Sequence, residues 1–191
     1  MSQPAVAQLK PLADLFAQAL SFCRPASVAL LGIAGGNGLD RIDPQITHRT
    51  LGIDIHPDYL EAVRARYATL PGLELHCLDL AAASVDLQPC ALVHAALLFE
   101  HAGATSCLAN ALALVEPEGH FSVVLQLPSE TEPGVSTTPY ASIGNLKSAF
   151  TLLDPDWFIQ TLNSHACRLL HETRHPLASG KGLWLGIFQK E

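Results

Sequence analysis

Basic residues are scarce in this chain. Of its 191 residues 11 are Lys or Arg, against 18 Asp or Glu, and the formal net charge is −7. That balance leaves no basic stripe to neutralise a run of phosphates, so free nucleic acid is not an expected partner. Long apolar runs are lacking too. No uninterrupted stretch reaches the ~20 residues that cross a bilayer, and no membrane partner is expected. The five cysteines (Cys23, Cys77, Cys90, Cys107, Cys167) are scattered, odd in number and free of any C-x-x-C pair. They read as reduced packing residues, and no metal centre is expected. Near the start, Leu9, Leu12, Leu15, Phe16, Ala19 and Leu20 are interrupted by Lys10, Asp14 and Gln18. This pattern predicts an amphipathic N-terminal helix over 1–24 and not a signal peptide, with a cytoplasmic location as its corollary.

What is abundant is apolar residue, 49% of the chain, enough for one well-buried core and a single domain over 1–191. Strand and helix signals alternate as a doubly wound α/β sheet requires. Strands are predicted at 27–33, 50–55, 73–78, 91–96 and 121–127, with helices from Asn37, over 57–69 and over about 104–115. Residues 128–145 have no strong period and leave the fifth strand at the edge where open α/β sheets bind ligands. They are the candidate substrate lid, with Tyr140 as a candidate substrate contact. Asp154-Pro155-Asp156 predicts a helix start, and the runs 167–175 and 183–189 flank a turn as a hairpin.

The richest segment is Val28-Ala29-Leu30-Leu31-Gly32-Ile33-Ala34-Gly35-Gly36-Asn37-Gly38. A buried strand breaking into glycines lets backbone approach a ligand closely. Asp54, about 20 residues on at the end of the next apolar run, is placed to accept hydrogen bonds from both hydroxyls of a ribose. Together they point to an adenosine-containing cofactor. The dinucleotide frame G-x-G-x-x-G lacks its third glycine here, ending on Asn37.

In the frame G-x-G-x-G the chain reads Gly32, Ala34, Gly36 and resembles motif I of the class I S-adenosylmethionine-dependent methyltransferases. The resemblance continues through Asp54, through Leu73-Glu74-Leu75-His76-Cys77-Leu78-Asp79-Leu80, and through the motif IV-like Ala91-Leu92-Val93-His94-Ala95-Ala96-Leu97-Leu98-Phe99-Glu100-His101. It ends in Leu114-Val115-Glu116-Pro117-Glu118-Gly119-His120-Phe121, similar to the turn before strand five. It implies a seven-stranded, mostly parallel sheet of order 3-2-1-4-5-7-6, strand 7 antiparallel, with helices on both faces. It also implies S-adenosylmethionine as cofactor and S-adenosylhomocysteine as product. Gly32, Ile33, Ala34, Gly36, Asn37, Asp54, Ile55, Asp79, Leu80 and Ala95 are the implied cofactor-binding residues. Glu100, His101 and His94 are the catalytic candidates. The acceptor is expected to be a small molecule, and the protein a monomer or homodimer. Leu30, Ala34, Ala91 and Ala96 depart from the family pattern. Ala34 fits if its φ is negative, and the apolar replacements keep a non-catalytic cofactor-binding protein as the alternative.

Two other readings are weaker. His171-Glu172-Thr173-Arg174-His175 matches the zinc-protease pattern H-E-x-x-H, which requires a helix and a third ligand downstream. Only Glu191 follows as a candidate ligand, and in a strand the histidines would lie about 13 Å apart. A nicotinamide dehydrogenase would need the missing third glycine and a second nucleotide-binding half.

Overall fold

The apolar runs pack because alternate residues serve opposite faces of one sheet. In the computed structural model, which describes residues 4–82, 84–129 and 151–191, the strands are β1 Ser27–Leu31, β2 Arg49–Asp54, β3 Leu73–Cys77, β4 Cys90–Ala96, β5 Val115–Leu127, β6 Cys167–Pro176 and β7 Gly182–Lys190. Their order is β3-β2-β1-β4-β5-β7-β6. The first five run parallel, and β7 is antiparallel to both β5 and β6. The expected topology is therefore the observed one. Ala29, Leu31, Val93 and Ala95 point to the face covered by α4 (Ala104–Ala113) and α5 (Pro155–Ser164). Val28, Leu30 and Leu92 point to the other, packed under α1 (Pro4–Cys23) and α2 (Pro57–Arg66). Burial on both faces is why the strands read as continuous apolar runs and not as alternating ones.

Helix boundaries follow local chemistry. Pro57 occupies the first turn of α2, where its missing N–H costs nothing. Asp154 caps α5 by accepting from the Asp156 N–H at 2.8 Å. α2 ends at Arg66, three residues before the predicted stop, because Tyr67–Leu70 forms a turn closed by the Leu70 N–H on the Tyr67 carbonyl. A short α3 (Phe99–Ala102) precedes α4. No helix among the described residues is long and apolar enough to cross a membrane.

Four expectations are corrected. No α-helix starts at Asn37: residues 34–38 form consecutive turns and lead into a single 3-10 turn, Leu39–Arg41. Left-handed φ at Ala34, Gly36 and Gly38 (46°, 76° and 92°) recurs at every second residue and prevents helical propagation. Ala34 thus has positive φ, contrary to the condition set for it. β5 starts at Val115, not 121, since Cys90 pairs with Val115 and Leu92 already with His120, so that Glu116–Gly119 bulge out opposite Ala91. Cys77 is exposed and is not a packing residue, unlike the buried Cys90, Cys107 and Cys167. The His171–His175 segment lies within β6 as one arm of the hairpin with β7, so the helical geometry of a zinc protease is not formed. Most of the predicted lid, 130–145 with Tyr140, lies outside the described residues.

Gly36 matters for packing. A Cβ there would meet Tyr67 at 2.8 Å, Leu39 at 3.1 Å and Val63 at 3.2 Å. Gly36→Ala combines that crowding with a left-handed backbone, and is expected to lower the free energy of unfolding by about 1–3 kcal/mol in urea titration. Ala34→Gly relieves a left-handed alanine and is expected not to lower it.

Candidate functional site

The carboxyl ends of β1, β2 and β4 open onto the glycine-rich turn, and one carboxylate joins them. Asp54, last residue of β2 and 8% exposed, accepts the Ala34 N–H at Oδ2 (2.8 Å) and the His56 N–H at Oδ1 (2.9 Å). A hydrogen bond to a charged group is worth about 1.5–3 kcal/mol, enough to offset the roughly 1–2 kcal/mol of a left-handed alanine. The turn is pinned on its other side by the Gly32 and Ile33 N–H groups, both donating to the Ile53 carbonyl at 2.9 and 3.0 Å.

Beside this anchor lies a cavity of about 410 Å³ lined by Gly32, Asp54, Ile55, His56, Leu78, Asp79, Leu80, Leu98, His101 and neighbours. Its size falls in the range of small-molecule sites. Five of the predicted cofactor residues meet here: Gly32, Asp54, Ile55, Asp79 and Leu80. An ionised carboxylate offers about four lone-pair positions, so Asp54 keeps acceptor capacity after its two backbone bonds. Asp79 accepts the Ala81 N–H at Oδ1 (2.8 Å) and has Oδ2 in reserve. Ile55 is 56% exposed at the rim, an apolar surface suited to a flat base. Gly32 has φ +69°, and a Cβ on it would come within 3.2 Å of Leu98 at the cavity wall. Among the described residues the lining carries two carboxylates and no Lys or Arg. With no α-helix beginning after the turn, the helix N-terminus that holds a pyrophosphate is missing as well. This chemistry suits the hydroxyls of a nucleoside better than the pyrophosphate of a dinucleotide.

A second cavity of about 150 Å³ shares Gly32 and passes under α1, taking in Ile33, Ala34 and Asn37. Asn37 donates its Nδ2 to the Leu9 carbonyl at 2.8 Å and so fastens the turn to α1. Two predicted cofactor residues face elsewhere. Gly36 packs against α2, as its surroundings require. Ala95 points into the core, and Ala96 lines the cavity in its stead. A strand's two-residue alternation makes that one-position slip easy. The wall residues absent from the predicted set include His56, Leu78 and Leu98, plus Leu9, Leu12 and Phe16 of α1. The amphipathic period of α1 marked the last three as apolar, but not what they cover.

The catalytic candidates separate. His94 on β4 is buried, shares a 3.0 Å hydrogen bond with the Ser122 hydroxyl and packs on Phe16 at 4.7 Å between ring centroids. Burial pushes its imidazole down to about 3, so it is neutral at physiological pH and a weak base. His101 lines the larger cavity at an exposed position, with its pKa lowered by partial desolvation. Glu100 is 1% exposed and lines neither cavity. Its Oε1 accepts the Gln126 N–H at 2.8 Å, its backbone carbonyl accepts the Thr151 N–H at 2.9 Å, and Oε2 has no partner among the described residues. It ties the β4–α3 corner to the end of β5 and to the chain returning at residue 151.

No protein-family model matches the chain, and no curated protein matches its sequence. Solved structures match its architecture. The N-methyltransferase NodS from Bradyrhizobium japonicum WM9, in complex with S-adenosylhomocysteine, aligns with a TM-score of 0.72 at 14% identity, covering 95% of this chain and 86% of that one. The magnesium protoporphyrin IX methyltransferase ChlM from Synechocystis PCC 6803, with bound S-adenosylhomocysteine, aligns at 0.70 and 10% identity, covering 97% and 84%. The chain has the class I methyltransferase fold. The cyclase SpnF also aligns, at 0.69 and 12% identity over 94% and 80%. The class I methyltransferase fold therefore carries more than one chemistry, and the reaction has to be argued from the site.

Glu100 generates a pH test. Burial, the dominant influence, raises its carboxyl from an ordinary 4.5 to about 7. The folded state therefore binds more protons than the unfolded one between these values, and the contribution to stability is lost as pH rises through that window. Glu100→Gln retains an acceptor for the Gln126 N–H and removes the titration. In urea titrations from pH 5 to 8 the parent should lose stability relative to Glu100→Gln; parallel profiles would refute the buried acid.

Proposed function

We propose that the protein is a methyltransferase that uses S-adenosylmethionine and acts on a small-molecule acceptor. The observation that carries this reading is Asp54, fixed by two backbone amides in the wall of the 410 Å³ cavity with acceptor capacity to spare for two ribose hydroxyls. Asp79 would accept from the adenine amino group, Ile55 and Leu80 would border the base, and Gly32 would admit the ligand to the second cavity. Ile33, Ala34 and Asn37 would hold the turn against its far end. The liganded NodS and ChlM structures support the same cofactor. The acidic balance of the chain, 11 Lys or Arg against 18 Asp or Glu, supports a small acceptor over nucleic acid. The proposal includes a single domain over 1–191, a cytoplasmic location, and a monomer or homodimer.

When bound, S-adenosylmethionine supplies an activated methyl group on a sulfonium, open to in-line displacement. The chain's contribution is alignment, which can be worth about 7–11 kcal/mol. Asp54 and Asp79 fix the nucleoside, α1 roofs the second cavity, and the pinned turn sets the distance between them. Leu98, Leu80 and Phe16 give the walls an apolar lining that would help keep water from competing with the acceptor. Of the three acid–base candidates only His101 faces the larger cavity, where its neutral imidazole is placed to accept a proton from an acceptor. Burial of His94 and the bonding of Glu100 into the fold favour the second reading, a non-catalytic protein that binds the same cofactor.

Calorimetric titration with S-adenosylmethionine and S-adenosylhomocysteine tests the cofactor. One site per chain is expected, with affinity at least about tenfold weaker in Asp54→Ala, since a single charge-assisted hydrogen bond is worth about 1.5–3 kcal/mol. Equal affinity in a folded Asp54→Ala would remove Asp54 from the site.

A further inference from the structure

His94 is a polar side chain that β4 places under α1. It stands in register with Leu30 of β1, packs on Phe16 and is 4% exposed. It also lines the cavity of about 150 Å³, whose other described side chains are apolar except that of Asn37, which already donates to the Leu9 carbonyl.

The two ring nitrogens differ. Nδ1 lies 3.0 Å from the Ser122 hydroxyl, which is fully buried and has His94 as its partner among the described residues. If Nδ1 carried the proton, the hydroxyl hydrogen would be sealed in the core unpaired, a costly arrangement. The hydroxyl therefore donates to Nδ1, and the ring, kept neutral by burial, holds its proton on Nε2. Nε2 has no protein partner among the described residues, yet it is not one of the unpartnered atoms shut off from solvent, which are Thr50 Oγ1, Tyr67 OH and Glu100 Oε2. Its N–H opens onto the cavity that the ring lines.

A neutral Nε2–H donates and cannot accept. It turns away an ammonium and selects an oxygen, most strongly a carboxylate. Leu9 and Asn37 are exposed at the rim of the cavity, so water can serve the carboxylate's remaining lone pairs.

We infer that His94 is a cofactor-binding residue whose Nε2–H donates to the carboxylate of the cofactor's amino-acid end, with the ammonium turned away from β4. Ser122 is the positioning residue that sets the tautomer. This deepens the proposed cofactor reading and rests on it. Gly32, common to the linings that hold Asp54 and His94, is where the ligand would pass from one to the other.

Calorimetric titration of the full chain with S-adenosylhomocysteine, and with 5′-methylthioadenosine, which lacks the amino-acid end, tests this in the parent and in His94→Leu/Ser122→Ala. The double variant removes both partners of the buried bond and leaves neither unpaired. Affinity for S-adenosylhomocysteine is expected to fall by about tenfold or more, and that for 5′-methylthioadenosine by less than about threefold. Equal losses for the two ligands, or none for either, in the folded variant would overturn the inference and leave the cofactor reading standing. Nitrogen NMR of the histidine rings in the ligand-free parent needs no variant: a proton on Nε2 of His94 is expected, and a proton on Nδ1 would overturn the inference. Failure of the folded parent to bind S-adenosylhomocysteine would overturn the cofactor reading and this inference with it.

Discussion

The two hydrogen bonds on Asp54 set the geometry of the ligand-facing edge. One reaches the Ala34 amide in the turn after β1 and the other the His56 amide before α2, so a single carboxylate fixes the end of β2, the glycine-rich turn and the entry to α2. Because Ala34 sits at φ +46°, the turn's shape depends on this anchor and not on local preference. Everything at the site inherits its position from there: Gly32 in the lining of both cavities, Asn37 against α1, Ile55 at the rim.

The sheet supplies the rigid frame for that anchor. Parallel strands buried on both faces have little freedom to slip, since a one-residue shift would exchange the residues packed under α1 and α2 for those under α4 and α5. The same two-face burial makes the carboxyl edge the place where backbone and side chains reach solvent together. A site assembled from turns at the ends of β1, β2, β3 and β4 is the consequence, and it explains why Asp54 and Asp79, distant in sequence, share one cavity. The charge of that cavity also selects. Its two carboxylates, with no Lys or Arg among the described lining residues, suit hydroxyl and amino donors and disfavour phosphates.

Much of this was legible in the residues. Continuous apolar runs marked the strands, Pro57 and Asp154 marked helix starts, and Asp54 at a strand end after a glycine-rich turn marked the site. What was hidden depended on backbone sign and on side-chain direction. The helix expected from Asn37 fails because left-handed residues alternate through 34–38, a property that Ala34 does not advertise. Ala95 and Ala96 differ only in which face they take. The candidates Glu100 and His94 have the residue types of acid–base groups, and it is their burial and their partners, Gln126 and Ser122, that give them structural work.

The proposed function seats a nucleoside ribose on Asp54. The most direct measurement is a crystal structure of the chain with S-adenosylhomocysteine. Both ribose hydroxyls are expected within ~2.5–3.0 Å of the Asp54 carboxylate while the Ala34 and His56 amides stay bound to it. A ligand seated elsewhere, with Asp54 bonded to those two amides alone, would contradict it.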